Sequence, residues 1–342
     1  MKTVATLGSH CALQLLKGAK DEGFNTLLVC KAGREKLYGR FRFIDRLVVV
    51  KEFKDVVSDD LLSTLADADS VLIPHGTLIS EVGIGLIEER LKIPIFGNRW
   101  MLRWEADRGL KEKLMREAGM ELPRSFKSPE EIDRLCIVKL PGAEGGKGYF
   151  LASNQKEFDD AFDGLVKSGV VEPSMREHLF IQEYILGVPV YLQYFYSPLN
   201  DELELLGIDR RYETTVDSLG RIPAHHQRRL QPTYIVVGNI PLVLRESLLE
   251  AVYEMGELFV KASKKLVRPG IIGPFCIEGV YDEQANFVPF EFSARIVAGT
   301  NLYVDGSPYS VLSYQEPMSM GRRIARELKL GLESDRLNEL LT

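Results

Sequence analysis

Apolar positions along the first hundred residues fall into short runs separated by amphipathic stretches. "TVATLG" reads as a strand, "CALQLLKGAKDEGF" as a helix closed by Gly23, and "NTLLVC" as a second strand. "SVLIPHGT" follows as strand and turn, "LISEVGIGLIEERL" as a helix, and "IPIFG" as a strand. This βαβα alternation predicts a doubly wound parallel sheet with helices on both faces. Ligands of such sheets sit at the carboxyl ends of the strands.

From "RWMLRWEADRGLKEKLMREAGMELP" the pattern predicts one long helix, stopped by Gly119 and Pro123. "CIVKLPG" and "KGYFLAS" read as antiparallel strands around a glycine loop, "FDDAFDGLVKSG" as a helix, and "LFIQEYILGVPVYLQYFYS" as a strand-rich run. Between about 230 and 320, strands mix with the helix "RESLLEAVYEMGELFVKASKKL". The expected class is α/β followed by α+β. An N-terminal α/β domain (1–100) precedes one subdomain carrying the glycine loop (101–190) and another carrying an acidic hairpin (191–342).

Composition narrows the partners. With 342 residues, 45% hydrophobic, 27% charged and a net charge of −6, the chain is an ordinary globular protein and lacks the basic balance of a general nucleic-acid binder. Cys11, Cys30, Cys136 and Cys276 stand far apart and form no CxxC pair, so neither a zinc cluster nor a disulfide framework is indicated. No apolar run approaches the ~20 residues of a membrane span, and the N-terminus has no signal-peptide pattern. The expectation is a cytoplasmic protein without membrane or nucleic-acid partners.

The stretch "VKLPGAEGGKGYF" carries the first candidate chemistry. Lys139 ends a strand, and Gly142, Gly145, Gly146 and Gly148 follow it with Lys147 among them. The spacing fits neither GxxxxGK[ST] nor a GxGxxG that opens a helix. A strand lysine beside a glycine hairpin suits closure of backbone N–H groups over a triphosphate, with Lys139 as a point charge. A plain glycine-rich hairpin is the other reading.

The second constellation is "GPFCIEGVYDEQANFVPFEFSARIVAGTN". Taken as a hairpin with "EQAN" as its loop, it pairs Tyr281 with Val288, Ile277 with Phe292, and Glu278 with Glu291. Alternation then makes Phe275, Ile277, Tyr281, Val288, Phe290 and Phe292 the core face. The other face opposes two carboxylates, with Ser293 and Arg295 beyond them. Like charges directly opposed across strands are destabilising, by roughly 3 kcal/mol at ~5 Å and an effective dielectric of about 20. A divalent cation shared by both acids would relieve this; so would splaying into water, or Arg295. Magnesium is commonly held by one or two carboxylates plus phosphates.

Three smaller signals remain. Glu183 lies in the apolar run "FIQEYILG", either as a solvent-facing edge residue or near an adenine or ribose. "ATLGSHC" and "PHGTL" place His10 and Thr77 in two strand-to-helix turns, ordinary in isolation but suited to a phosphate when they share a sheet edge. His178, His225 and His226 show no ligand spacing.

A lysine strand, a glycine loop, "QEYI" and an acidic hairpin ending E-x-x-x-R, in that order, resemble an ATP-grasp protein. The pieces "TLGSH", "PHGT", "IFGNRWMLRWE", "GGKGYFLA", "QEYILGVPV", "RRYE", "GNIPLVLRESLL", "GPFCIEGV" and "SARIVAGTN…GSPYS" run over nearly the whole chain. Together they resemble the archaeal formate-dependent 5-formaminoimidazole-4-carboxamide ribonucleotide synthetases. That resemblance implies an ATP- and formate-dependent ligase of purine synthesis that formylates 5-aminoimidazole-4-carboxamide ribonucleotide through formyl phosphate. It implies that His10, Thr77 and Asn239 hold the nucleotide, and that Lys139, Gly145, Gly146, Gly148, Glu183, Tyr184 and Glu213 contact ATP. It further implies Lys113, or alternatively Lys111, as an additional phosphate lysine, Glu278 and Glu291 on Mg2+ or Mn2+, and a homo-oligomer. Ser293 stands where the superfamily usually has an asparagine, and "AHHQ" at 224–227 differs from its lysine–acid pair. We expect Arg295 to stabilise the oxyanion formed when the amine attacks. A ligase of another carboxylate–amine pair and a non-catalytic nucleotide-binding paralogue are the alternative functions.

Overall fold

The computed structural model describes residues 2–140, 149–227, 230 and 233–342. The glycines at 142, 145, 146 and 148, and Lys147, lie outside the described residues. Three sheets organise the rest.

The first is parallel, formed by β1 (Thr3–Leu7), β2 (Asn25–Lys31), β3 (Arg46–Val50) and β4 (Ser70–Leu72) in the order β3-β2-β1-β4. β1 is buried along its whole length, as a strand covered on both faces must be. Val4 packs with Leu15 and Leu16 of the helix Ala12–Asp21, whereas Ala5 and Leu7 pack on the opposite face with Leu61 and Leu65 of the helix Asp59–Asp67. The strand order reverses between β1 and β4, so a crevice opens at their carboxyl ends.

The second sheet is antiparallel: β5 (Ser125–Phe126), β6 (Cys136–Lys139), β7 (Tyr149–Ala152) and β8 (Phe180–Glu183), ordered β5-β8-β6-β7. The third comprises β9 (Val188–Ser197), β10 (Glu202–Glu213), β11 (Val236–Pro241), β12 (Gly273–Tyr281) and β13 (Phe287–Ser293), ordered β11-β10-β9-β12-β13 and also antiparallel. Its apolar face stacks Tyr194 and Phe259 on Phe275, with ring centroids 4.9 and 5.1 Å apart. Phe259 comes from the helix Leu249–Leu266, whose buried side covers this face.

β3 was not expected from the sequence, and four elements take other forms than expected. The stretch 78–91 is not one helix but a π-helical turn, Leu78–Val82, followed by the helix Ile84–Glu89; Gly83, at φ +87°, breaks the ladder between them. The long helix of residues 99–117 is two, Arg99–Ala106 and Arg108–Glu117. Asp107 is extended between them, and its carboxylate accepts from Leu110 N at 2.9 Å, an N-cap arrangement that starts a new helix. "IPIFG" makes only isolated bridges, Leu72 with Ile95 and Phe96 with Leu341.

The fourth difference concerns the hairpin. Glu278 pairs with Glu291 and Ile277 with Phe292 as expected, but Tyr281 pairs with Phe287 rather than Val288. The Asp282 carboxylate accepts from Gln284 N and Asn286 N, which draws Asp282 into the turn and lengthens it by one residue. A bulge next to Gly279 absorbs the shift. Consequently Phe287, and not Val288 or Phe290, completes the core face, and Phe290 turns to the cleft beside Lys139.

Candidate active site

The polar face of the third sheet gathers most of the candidate residues. Successive strands contribute Asn239 from β11, Asp209 and Arg211 from β10, Gln193 from β9, Glu278 from β12, and Glu291 and Ser293 from β13. Glu278 is nearly sealed, its side chain 5% accessible, whereas that of Glu291 is 41% accessible at the cleft. Arg211 pairs with Glu278 at 2.9 Å, and the Ser293 hydroxyl donates to the other oxygen of Glu278 at 3.2 Å. Lys111 pairs with Glu291. The opposed acids are therefore each matched by a cation, and Arg295, weighed as their neutraliser, is engaged elsewhere. Burial and the neighbouring Glu291 push the Glu278 carboxyl up, despite Arg211. Against its own burial, Glu291 is drawn down to about 2 by Lys111, Lys139 and Arg211.

Lys139 reaches this cluster from the second sheet. Its ammonium lies 5.6 Å from the Phe180 ring centroid and 6.0 Å from that of Phe290, and it donates to Gln182 Oε1 at 3.3 Å. No carboxylate lies within 4.0 Å of it among the described residues. Burial lowers its pKa, only partly offset by Glu291. A desolvated cation without a close anion is a charge waiting for one. Of the two lysines offered for a further phosphate contact, Lys111 occupies the cluster. Lys113 is exposed over Trp104, 5.8 Å from its ring centroid; two positions along a helix turn it away from Lys111.

At the sheet crevice, His10 and Thr77 come together as expected. The Thr77 and Ser9 hydroxyls lie 2.8 and 3.1 Å from His10 Nδ1. Both donating there would leave the proton on Nε2. His10 Nε2 and Arg295 Nη2 both flank Gly76, where a Cβ would come within 3.2 and 3.3 Å of them. His10 itself sits at φ +46°, held by Asn301 donating to its carbonyl at 3.0 Å. His75 packs behind it and shares its Nε2 with the Leu7 carbonyl at 2.9 Å; burial pushes it down to about 3, so it is a neutral donor. Burial and Arg295 lower His10 as well.

Glu105 holds Arg295 at 2.9 Å and accepts from Ala294 N at 2.7 Å. The sequence reading missed it, although its i, i+3, i+4 relation to Met101 and Leu102 places it on the buried helix face. Arg211 was missed for a plainer reason: "RRYE" marks a strand, but not which residue faces Glu278.

A third region joins the two antiparallel sheets. The Tyr149 and Tyr234 rings are 4.7 Å apart. Burial raises the hydroxyl pKa of Tyr184 and the carboxyl pKa of Glu213, and the Glu213 charge adds to the shift at Tyr184. Glu183 points away from them, with Arg134 at 3.0 Å and Arg124 N at 3.2 Å. Its strand is interior to the sheet, so it is not an edge residue, yet its carboxylate is spent on a surface ion pair. His178, His225 and His226 take no part in these three clusters.

Two oxygen donors with satisfied second partners fit a hard divalent cation, provided phosphate oxygens and water complete its shell. Among the described residues no group of three or more His, Cys, Asp or Glu could form an all-protein cage.

Comparison with known proteins identifies the fold and the family. Two family models match, a protein of unknown function (DUF1246) over residues 4–126 and a domain of unknown function (DUF1297) over residues 157–342. A 5-formaminoimidazole-4-carboxamide-1-(beta)-D-ribofuranosyl 5'-monophosphate synthetase of Nitrosopumilus maritimus (strain SCM1) is 56% identical, covering 100% of both chains. The crystal structure of the IMP biosynthesis protein PurP from Thermococcus kodakaraensis superposes with a TM-score of 0.79 at 34% identity, covering 99% of this chain and 100% of that one. An ADP complex of N5-carboxyaminoimidazole ribonucleotide synthetase, at 11% identity and a TM-score of 0.67 over 95% of this chain and 76% of its own, shares the fold. The two antiparallel sheets are thus the two halves of an ATP-grasp fold behind a parallel-sheet domain, and the chain belongs to the 5-formaminoimidazole-4-carboxamide ribonucleotide synthetase family.

Proposed function

We propose that this chain catalyses the ATP- and formate-dependent formylation of 5-aminoimidazole-4-carboxamide ribonucleotide, a ligase step of IMP biosynthesis that proceeds through formyl phosphate. The full-length identity to synthetases of that name carries the reading. The charge arrangement supports it: two opposed acids, Lys111, and Lys139, which has no close carboxylate among the described residues, converge where a triphosphate would have to be neutralised.

Formate attacks the γ-phosphorus through a carboxylate oxygen, and ADP leaves. The protein's task is to align the two anions and offset their repulsion. Lys139 supplies a point charge whose desolvation strengthens its pull on phosphate oxygens. Glu278 and Glu291 would hold Mg2+ or Mn2+, which would screen the phosphate charge. Arg211, Lys111 and Ser293 keep those acids in place in its absence. Tyr149, Tyr184, Tyr234 and Glu213 offer an aromatic wall with one acceptor for the adenosine end. Lys113 and the Glu183 carboxylate are dropped from the ATP contacts, since both face outward. Gly145, Gly146 and Gly148 remain in them by resemblance.

The 5-amino nitrogen then attacks the formyl carbon, phosphate leaves, and the ammonium proton is lost to give the formamide. His10 Nε2 and Arg295 Nη2, the donors beside Gly76, face the nucleotide with Asn239, and Arg295 stabilises the developing oxyanion. Thr77 acts through His10, because its buried hydroxyl is already committed to the ring. No helix among the described residues is long and apolar enough to cross a membrane. A cytoplasmic homo-oligomer with no nucleic-acid partner completes the proposal.

ADP release is the test, measured with magnesium-ATP, formate and the nucleotide and with each omitted in turn. Release that needs all three, with formylated nucleotide accumulating, is the expected outcome. Turnover with another acid would move the substrate; nucleotide binding without turnover would favour a non-catalytic paralogue.

A further inference from the structure

Asp209 is a carboxylate that neither the metal-type acids nor the arginine cluster uses. It is 1% exposed, in the middle of β10. Its two oxygens are reached by amides: Asn239 Nδ2 donates to one at 2.6 Å, and Gln193 Nε2 donates to the other. No Lys, Arg or His lies within 4.0 Å of it among the described residues. The backbone of the turn after Arg295 closes over it so tightly that a Cβ on Gly299 would stand 2.2 Å from its oxygen. Asn239 pairs with Arg211 across β10 and β11, and Arg211 holds Glu278, so Asn239 stands at the reacting end of the cleft.

Burial raises the Asp209 carboxyl to about 6, the two amides holding it down, so above that pH it is ionised. An ionised carboxylate accepts hydrogen bonds and cannot donate, whereas a primary amide presents a donor on one side and an acceptor on the other. Asp209 therefore decides which side of Asn239 turns inward. With Nδ2 bound to Asp209, Oδ1 of Asn239 remains for the cleft. We propose that Asp209 is a positioning residue that locks the Asn239 amide, so that the site offers the 5-amino group of the nucleotide an acceptor and not a donor. This rests on the reading that Asn239 contacts the nucleotide.

A neutral amide at position 209 could satisfy Asn239 in either orientation, and the lock would be lost. D209N is expected to raise the KM for the nucleotide roughly tenfold or more, leaving the KM values for ATP and formate within about twofold. The exchanged pair D209N/N239D restores the pattern, because the amide introduced on β10 would donate to the carboxylate introduced on β11, whose other oxygen faces the cleft. Nucleotide KM should then recover to within a few-fold of the parent while the ATP and formate values stay unchanged throughout, a selectivity that a merely structural role, moving all three together, would not produce. If D209N folds with an unchanged nucleotide KM, or loses all three substrates equally without rescue, the proposal fails. Should D209N not fold, the parent protein still decides. A nucleotide with hydrogen in place of the 5-amino group should bind roughly tenfold or more weakly, and equal affinity would overturn the acceptor role. N239A separates the two levels: no effect on nucleotide KM removes the reading of Asn239 itself, whereas a large effect beside an inert D209N removes only the lock.

Discussion

Burial without a counter-charge among the described residues marks the side chains with most chemical leverage. Lys139 has its ammonium between two phenyl rings, and its pKa falls for that reason. Removing it in Lys139→Ala should cut ADP release by about 10²-fold or more. Lys139→Arg should recover only part of that, since a planar fork does not replace a compact point charge. Steady-state rates of the two variants check this, and an unimpaired alanine variant would take Lys139 out of the phosphate site. His75 lends itself to a pH test. Its folded value, about 3, lies below the 6.5 of an unperturbed imidazole, so the unfolded chain binds the extra proton between those values. The stability that neutral His75 contributes is complete above about pH 6.5 and is lost as pH falls toward about 3, by up to roughly 5 kcal/mol. His10, also lowered, adds to the same trend. Denaturant titrations from about pH 7 to 4 should give a shallower loss for His75→Asn than for the parent; parallel curves would contradict the buried neutral imidazole.

Among the elements, the β12–β13 hairpin shows how a local turn serves a distant site. Asp282 lengthens the turn by one residue, and without correction the two strands would slide and part Glu278 from Glu291. The bulge beside Gly279 restores the register just before the acids. Gly279 has no room for a side chain: a Cβ would meet the Phe287 ring at 2.4 Å and the Val288 carbonyl at 2.7 Å. Gly279→Ala should therefore destabilise by about 1–3 kcal/mol and weaken metal-dependent turnover more than nucleotide binding. Thermal unfolding together with activity at varied magnesium would show this, and a neutral substitution would mean that the bulge is not what sets the acid pair.

At the scale of the whole molecule, a helix near the end of the sequence returns to the first. Met320–Glu333 packs on Ala12–Asp21 so closely that a Cβ on Gly18 would lie 2.1 Å from Arg322 N, and one on Gly321 2.5 Å from Leu15 Cα. Arg322 bonds to Glu22 at 2.7 Å at one end of the contact, and Gln14 donates to Thr300 at 2.8 Å at the other. The helix after His10 is thereby tied to the loop that follows Arg295. Gly18→Ala should force the helices apart, lower stability by about 1–3 kcal/mol, and raise the nucleotide KM before that of ATP. Unchanged melting and kinetics would show that the two helices can separate without cost.

Much of this was legible in one dimension. Hydrophobic periodicity located three of the four parallel strands (β1, β2 and β4), the hairpin around the glycine loop and the helix of residues 249–266, because each is dictated by neighbours a few positions away. The Glu278–Glu291 opposition was legible for the same reason, as two acids at mirrored places in one hairpin, and His10 and Thr77 were legible as twin turns at one sheet edge. The broken helices were not, since Asp107 and Gly83 act through backbone geometry that composition tolerates either way. Nor could spacing choose between Lys111 and Lys113, or say that Glu105 takes Arg295, Arg211 takes Glu278, and Asp209 takes Asn239. Those pairs join residues about 30 to 190 positions apart, and only the strand order of the third sheet and the seating of the helix Arg99–Ala106 beside it bring them within a hydrogen bond. Local sequence determined most of the elements and which of their faces carry charge; the tertiary structure decided which charges meet, because a buried polar group needs a hydrogen-bond partner that only the folded chain can bring to it.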